Sequence, residues 1–164
     1  MNFKAFKMDG LGNDFVIIDN RTDEIKLSSD QIIKICNRSF IGCDQLIIMN
    51  HSENSDADLI FYNSDGSESG ACGNGTRCVA YLISEESNKK EIILRTKSGF
   101  LNSKILDKNL VETVIGIAKT EWKEIPISQK MDTKNLNLNI ADKNNNEYFV
   151  GTAVNVGNPH AIFF

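Results

Sequence analysis

The stretch SGACGNGTRCVAYLI (residues 69–83) decides the fold that this sequence predicts. Three glycines and an asparagine precede the run CVAYLI, which is apolar all round and leaves no polar stripe for solvent. A helix of that kind is typical of burial on every side. We therefore expect a central helix that begins near Cys72 and is enclosed by a sheet.

The flanking segments supply the strands for that sheet. FKAFKM, FVIID, QLIIM and ADLIFYN come before the helix, and EIILRTK, FLNSKIL and LVETVIG follow it as hairpin-linked runs. Turn-forming residues in DGLGND indicate an early hairpin or a functional loop. Ser28 and Gln31 give the capping-box pattern of a first helix in SSDQIIKICNR. The pattern predicts an α+β fold with a mostly antiparallel sheet.

Composition excludes several classes of function. The 164 residues are 41% apolar and carry a formal net charge of -4, with basic residues scattered along the chain. Scattered basic residues argue against nucleic acid as a partner. No apolar run has the length of a membrane span or of a signal-peptide core, so we expect a cytoplasmic protein without membrane contact.

The cysteines and histidines give no metal-binding pattern. The four cysteines form no C-x-x-C pair, and the two histidines, His51 and His160, are far apart in the sequence. We expect reduced thiols, no disulfide framework and no metal site.

Cys72 lies where a predicted helix begins, and this position suggests a chemical role. Unpaired amides and the helix dipole favour an anion such as a carboxylate there, and they favour a thiolate as well. Cys78 lies further into the helix and is expected to be inert packing. A plain tight turn with a small buried cysteine remains an alternative.

Two other functions fit the same stretch less well. A phosphate-binding P-loop needs a lysine after the glycines, and none is present. A cysteine protease has His160 available as a partner, but the residues around Cys72 match no known nucleophile signature.

Five motifs in order resemble those of the diaminopimelate epimerases: GLGNDF (10–15), GCDQL (42–46), NSDGS (63–67), CGNGTRC (72–78) and GNPH (157–160). The resemblance implies interconversion of LL- and meso-diaminopimelate without any cofactor. It also implies two similar lobes, each a curled sheet wrapped around a central helix, with the substrate in the cleft between them.

The same resemblance assigns roles to individual residues. Cys72 matches one of two catalytic cysteines that exchange a proton on opposite faces of the α-carbon, and His160 matches a histidine that orients or tunes the thiols. For three of the asparagines, at positions 13, 63 and 158, turn chemistry is the alternative. The positions that match substrate-binding residues are Asn13, Gln45, Asn63, Gly73, Asn74 and Asn158.

The resemblance also sets expectations for domains and assembly. Residues 1–117 would form the N-terminal lobe, and residues 118–164 would open a second, incomplete lobe that lacks the second cysteine. We therefore expect the 164 residues alone to be inactive, and the apolar residues from Val150 to Phe164 could drive formation of a homodimer. A proline or hydroxyproline racemase, and an amino-acid-binding module without turnover, remain alternatives.

Overall fold

The computed structural model describes residues 3–22, 24–70 and 72–163. The chain divides into two compact units, Met1–Val114 and Ile115–Phe164. The sequence predicts this boundary after residue 117, close to the division between the two units.

In the part of the chain that is described, the first unit contains eight strands and two helices, and every helix and strand expected there is present. The early DGLGND segment closes a hairpin. The strands are β1 (Ala5–Gly10), β2 (Asn13–Asn20), β3 (Gln45–Asn50), β4 (Ala57–Asn63), β5 (Glu68–Ser69), β6 (Glu91–Thr96), β7 (Gly99–Asp107) and β8 (Leu110–Val114), and the helices are α1 (Ser29–Cys36) and α2 (Gly73–Ser87).

The strands form one mostly antiparallel sheet in the order β1-β2-β3-β4-β6-β7-β8, with β5 paired to β4. The β2–β3 and β4–β6 pairs are parallel, which the sequence did not reveal. The sheet curls so that α2 contacts β1 and β2 as well as β6, β7 and β8. The predicted fold class, a curled sheet around a central helix, is confirmed.

The expected burial of α2 on every side is wrong in one respect. Tyr81 and Leu82 stay half-buried. Tyr81 faces a pocket between β1 and β8, which it lines together with Met8 and Leu110. Because β1 and β8 are the two unpaired ends of the sheet, the wrap around the helix stays open on that side.

The central strands are buried on both faces. Phe15, Ile17 and Ile47 pack in the core that contains α2, whereas Val16 and Ile18 pack in a second core against α1. Alternate residues of a strand point to opposite faces, so a continuous apolar run is what a strand between two layers requires. The capping box at Ser28 and Gln31 is confirmed at the start of α1.

Two glycines let the first turn of α2 approach the sheet closely. A Cβ atom on Gly75 would lie 2.7 Å from Cδ1 of Ile47, and a Cβ on Gly10 would lie 3.3 Å from the carbonyl oxygen of Asn74. A contact of 2.7 Å requires an atom to shift, and one of 3.3 Å is tighter than most real Cβ contacts, so glycine lets both positions pack without displacing a neighbour. This contact places the start of α2 at the edge of β1, β2 and β3.

A cluster of charged residues ties α1 to the same edge of the sheet. The Arg38 guanidinium, just after α1, donates to both carboxylate oxygens of Asp14 at 2.5 and 2.7 Å, and to Asp44 at 2.7 Å. Lys7 on β1 also donates to Asp14 at 2.5 Å. Hydrogen bonds from Arg38, and then Lys7, outweigh burial and hold the pKa of Asp14 well below its usual range.

The second unit contains a three-stranded antiparallel sheet whose middle strand is Glu147–Asn155. Ile125, Leu136 and Ala153 form its small core. Val150 and Ile162 are exposed on the predicted apolar surface, and Phe164 lies outside the described residues. The unit comprises a 3-10 helix at Trp122–Glu124 and the strands β9 (Leu136–Ala141), β10 (Glu147–Asn155) and β11 (Pro159–Phe163).

No helix in residues 3–22, 24–70 and 72–163 combines the length and the apolar character needed to span a bilayer.

Replacing Gly75 with alanine is expected to lower the free energy of unfolding, because the new methyl group would press against Cδ1 of Ile47. Overpacking of this kind costs about 1–3 kcal/mol, which exceeds the roughly 1 kcal/mol that alanine gains in helix propensity. Urea unfolding followed by circular dichroism measures the change. In the control, Ile47→Val removes the Cδ1 atom, so the double variant should lose less stability than the sum of the single variants. Strict additivity would show that the two atoms do not compete for space.

Replacing Asp14 with asparagine is expected to lower the free energy of unfolding at pH 7 by about 1 kcal/mol, since its partner Arg38 is exposed. The pKa of Asp14 is lower in the folded chain than in the unfolded chain, where it has the usual aspartate value of about 3.9. The stability that this difference contributes is fully present above the unfolded value and is lost as the pH falls through the folded value. The gap between Asp14→Asn and the unsubstituted chain should therefore shrink below pH 4. Unfolding by urea at pH 7, 4 and 2.5 tests this, with Glu53→Gln on an exposed loop as the control. A gap that stays constant with pH would contradict the assignment.

Candidate active site

The sheet topology brings three of the predicted substrate-binding residues to one edge. Asn13 begins β2, Gln45 begins β3 and Asn63 ends β4. Because β2 and β3 run parallel and β4 runs antiparallel to β3, these three strand ends share one side of the sheet. Gln45 lies directly opposite Asn63 in the register.

The start of α2 meets the same edge. Cys72 is the N-cap of the helix, as the sequence predicted, and its Sγ lies 3.7 Å from Oδ1 of Asn13. The Asn74 side-chain amide donates to that oxygen at 3.4 Å. The structure thus brings Asn13, Cys72 and Asn74 together, and all three side chains are half-buried.

The first turn of α2 has the properties of an anion site. The backbone amide and hydroxyl of Thr76 both donate to the carbonyl oxygen of Cys72 at 2.8 Å, which anchors the helix start. The first amides of an α-helix have no partner inside the helix. Gly73 and Asn74 supply two of them, and no acidic side chain lies in this turn. A carboxylate placed there would meet amide donors and the positive end of the helix dipole.

The side chains of Gln45 and Asn63 are hydrogen-bonded to each other. The Gln45 amide donates to Oδ1 of Asn63 at 2.9 Å, and Nδ2 of Asn63 donates to the Ser67 hydroxyl at 3.1 Å. Asp65 accepts from the backbone and the hydroxyl of Ser67, as a turn-bracing residue would. Asn63 therefore serves the NSDGS turn as well as the site edge. Arg77 likewise braces the start of the helix through Oδ1 of Asn74.

The other three thiols are buried. Burial raises the pKa of Cys78 to about 11, which agrees with its expected role as packing. The Sγ atoms of Cys36 and Cys43 lie 3.5 Å apart between α1 and the sheet. Burial, together with the adjacent Cys43 thiol, raises the pKa of Cys36 to about 12. Cys72 is half-buried and free.

Asn158 and His160 belong to the second unit. Asn158 lies in the turn before β11, and its carbonyl oxygen pairs with Nδ1 of His160 at 2.8 Å. Both residues are exposed within that unit, and His160 lies opposite Val154 of β10. In this turn, the side chain that bonds the backbone is Asn155, whose Oδ1 accepts from the Gly157 amide at 2.9 Å.

Among the described residues, no three His, Cys, Asp or Glu side chains lie close enough together to hold a metal ion.

Sequence reasoning missed Asp44. Its carboxylate accepts from Nδ2 of Asn13 at 2.8 Å and from the backbone amide of Asp14 at 3.1 Å. The available signal was the motif GCDQL itself, in which an acidic residue stands directly before a buried strand. What the sequence could not show is that Asp44 lies beside Asn13, far away along the chain.

Comparison with known proteins places this geometry in a family. Residues 5–121 match the family model described as diaminopimelate epimerase. A diaminopimelate epimerase from Pelagibacter ubique (strain HTCC1062) is 64% identical over an alignment that covers 100% of this chain and 60% of the relative. Another, from Phenylobacterium zucineum (strain HLK1), is 40% identical over 96% of this chain and 57% of the relative. The chain thus spans about 60% of the length of these curated relatives.

Solved structures show the same fold at low identity. A hydroxyproline epimerase from Agrobacterium vitis matches with a TM-score of 0.56 and 12% identity, over 92% of this chain and 48% of that one. A "probable proline racemase" from Agrobacterium radiobacter K84 matches with a TM-score of 0.59 and 10% identity, over 93% and 49%. These likenesses concern the fold alone. With the family model matched across most of the chain and a relative of 64% identity aligned over all of it, this chain belongs to the diaminopimelate epimerase family.

Proposed function

We propose that the protein containing this chain interconverts LL- and meso-diaminopimelate, and that Cys72 is one of its two acid–base groups. The observation that carries this proposal is the placement of a free thiol at the start of α2, beside Asn13 and Asn74. The family membership supports the substrate.

The chemistry follows from what inversion of an α-carbon requires. Without a cofactor, one group must remove the α-proton from one face while another delivers a proton to the opposite face. A Cys72 thiolate would accept the proton in one direction, and the thiol would return it in the other. The amides of Gly73 and Asn74 would bind the substrate carboxylate and stabilise the negative charge that develops on it.

The remaining family positions suit a substrate with amino-acid groups at both ends. An amide side chain offers both donors and an acceptor, so it can bind a carboxylate or an ammonium group. Asn13, Gln45 and Asn63 present such side chains at the same edge as Cys72. We assign substrate binding to these residues and to Asn158, and orientation or tuning of the thiols to His160.

The second acid–base group, which must lie on the opposite face of the α-carbon from Cys72, is not supplied by any of the other three cysteines. Cys36, Cys43 and Cys78 are buried in the cores of the first unit. We therefore propose that the 164 residues alone do not epimerise diaminopimelate. A homodimer and a cytoplasmic location remain predictions from the sequence.

Cys72 is expected to be alkylated first, because it is half-buried at the helix start while the other thiols are buried. Thiolates react and thiols do not, so raised pKa values slow Cys36 and Cys78 further. Limiting iodoacetamide at pH 7.5, followed by peptide mass mapping, should label Cys72 at least roughly tenfold faster than any other cysteine. Cys72→Ser is the control and should lose the fast phase. Earlier labelling of Cys78 would mean that the helix start is misassigned.

In a protein of the relatives' full length, Cys72→Ser is expected to lower kcat by about 10²–10⁴-fold, the range for loss of a general acid or base. Cys36→Ala, on the far side of the sheet, should keep near-normal kcat. Incubation with LL-diaminopimelate in deuterated water follows both stereoisomer conversion and α-deuterium uptake, and it separates turnover from binding alone. Near-normal turnover by Cys72→Ser would reject the role of this thiol. Conversion by the 164 residues at the full-length rate would reject the claim that they lack the second acid–base group.

A further inference from the structure

The Asn13 side chain lies between a carboxylate and the Cys72 thiol. Its Nδ2 donates to Oδ2 of Asp44 at 2.8 Å, while its Oδ1 faces Sγ of Cys72 at 3.7 Å and Nδ2 of Asn74 at 3.4 Å. One end of this amide is thus set by Asp44, and the other end faces the sulfur.

Asp44 is itself held in place from several directions. Arg38 donates to its Oδ1 at 2.7 Å, and the backbone amide of Asp14 donates to its Oδ2 at 3.1 Å. In return, the Asp44 backbone amide donates to Oδ1 of Asp14 at 3.0 Å. These contacts join the starts of the neighbouring strands β2 and β3 and leave the Asp44 carboxylate aimed at Asn13.

The charge of Asp44, together with the Asn74 donor, favours one orientation of the Asn13 amide. An ionised carboxylate can only accept hydrogen bonds, whereas an amide has a donor end and an acceptor end. Turning the Asn13 amide over would set its carbonyl oxygen against the carboxylate and lose the hydrogen bond. The favoured orientation therefore points the carbonyl oxygen at Cys72.

We propose that Asp44 is a positioning residue that, by fixing the Asn13 amide, presents an acceptor oxygen to the Cys72 thiol and so holds the sulfur in its protonated, proton-donating form. Asp44 does not touch the sulfur and acts through Asn13. This proposal builds on the role of Cys72 as an acid–base group.

The other charged groups near this thiol lie on β1 and α2. Asp9 of β1 and Arg77 of α2 line a pocket together with Cys78, in the helix that Cys72 caps. Arg77 is also bonded to Asn74. Both charges stay in place in the variants below, so differences between variants report on Asp44 and Asn13.

The test is the pH profile of Cys72 alkylation in the 164-residue chain, measured by mass mapping with iodoacetamide between pH 6 and 10. In Asp44→Asn, the side chain keeps its size but one of the two acceptor oxygens becomes an NH₂ donor. Where that donor faces Asn13, the Asn13 amide turns its own NH₂ group toward the sulfur and favours the thiolate. The inflection of the profile should move to lower pH by about 0.5–1 unit, which raises the rate at pH 7 roughly three- to tenfold. The plateau at high pH reports access to the thiol, so a merely loosened structure would change the plateau and leave the inflection in place.

A double-variant comparison separates this mechanism from a direct effect of the Asp44 charge. Asn13→Ala alone should also lower the inflection, because it removes the acceptor oxygen while Arg38 keeps its contacts with Asp14 and Asp44. This variant also keeps the proposal testable if Asp44→Asn fails to fold. In the Asn13→Ala background, adding Asp44→Asn should move the inflection no further. A further shift of the same size, or no shift in either single variant, would overturn the proposal.

The assay needs neither substrate nor turnover, so its outcome is independent of the proposed function. Shifted inflections in a full-length protein that fails to epimerise diaminopimelate would reject the function and keep the positioning role. Unshifted inflections in an active epimerase would reject the positioning role and keep the proposed function.

Discussion

The close approach of the first turn of α2 to the sheet is the contact on which the site depends. Gly75 lies against Ile47, and Gly10 lies against the carbonyl oxygen of Asn74, at distances that are short for an added Cβ atom. Because the helix start is fixed there, Cys72 and the first amides of α2 lie at the strand ends that carry Asn13. A larger residue at either glycine would require the atoms around the helix start to shift.

The site is also where the two layers of the first unit meet. The core around α2 occupies one face of the sheet, and the core around α1 occupies the other. At the sheet edge, Arg38 from the α1 side binds Asp14 and Asp44, and Asp44 binds Asn13, which faces Cys72. A continuous set of polar contacts thus runs from the outer helix layer to the inner one. Packing supplies the rigidity that such contacts need to hold an amide in one orientation.

Burial makes the thiols of this chain chemically different. Cys72 and Cys78 belong to the same helix, yet one caps its start and the other packs under β1. Moving a thiol into an apolar core penalises the thiolate, and this raises the pKa of Cys78 and Cys36. Free cysteines can therefore serve as core residues here without competing with Cys72 as acids or bases.

The sequence by itself determined the local structure: the strands, the capping box at Ser28, and a helix that begins at Cys72. These features depend on patterns within a few residues, and the family motifs added a set of site positions. Only the tertiary structure decided that β2 and β3 run parallel, that α2 is left open at Tyr81, and that Asp44 binds Asn13. Such pairings join residues far apart in the chain, and their stability comes from long-range packing and charge that no local pattern contains.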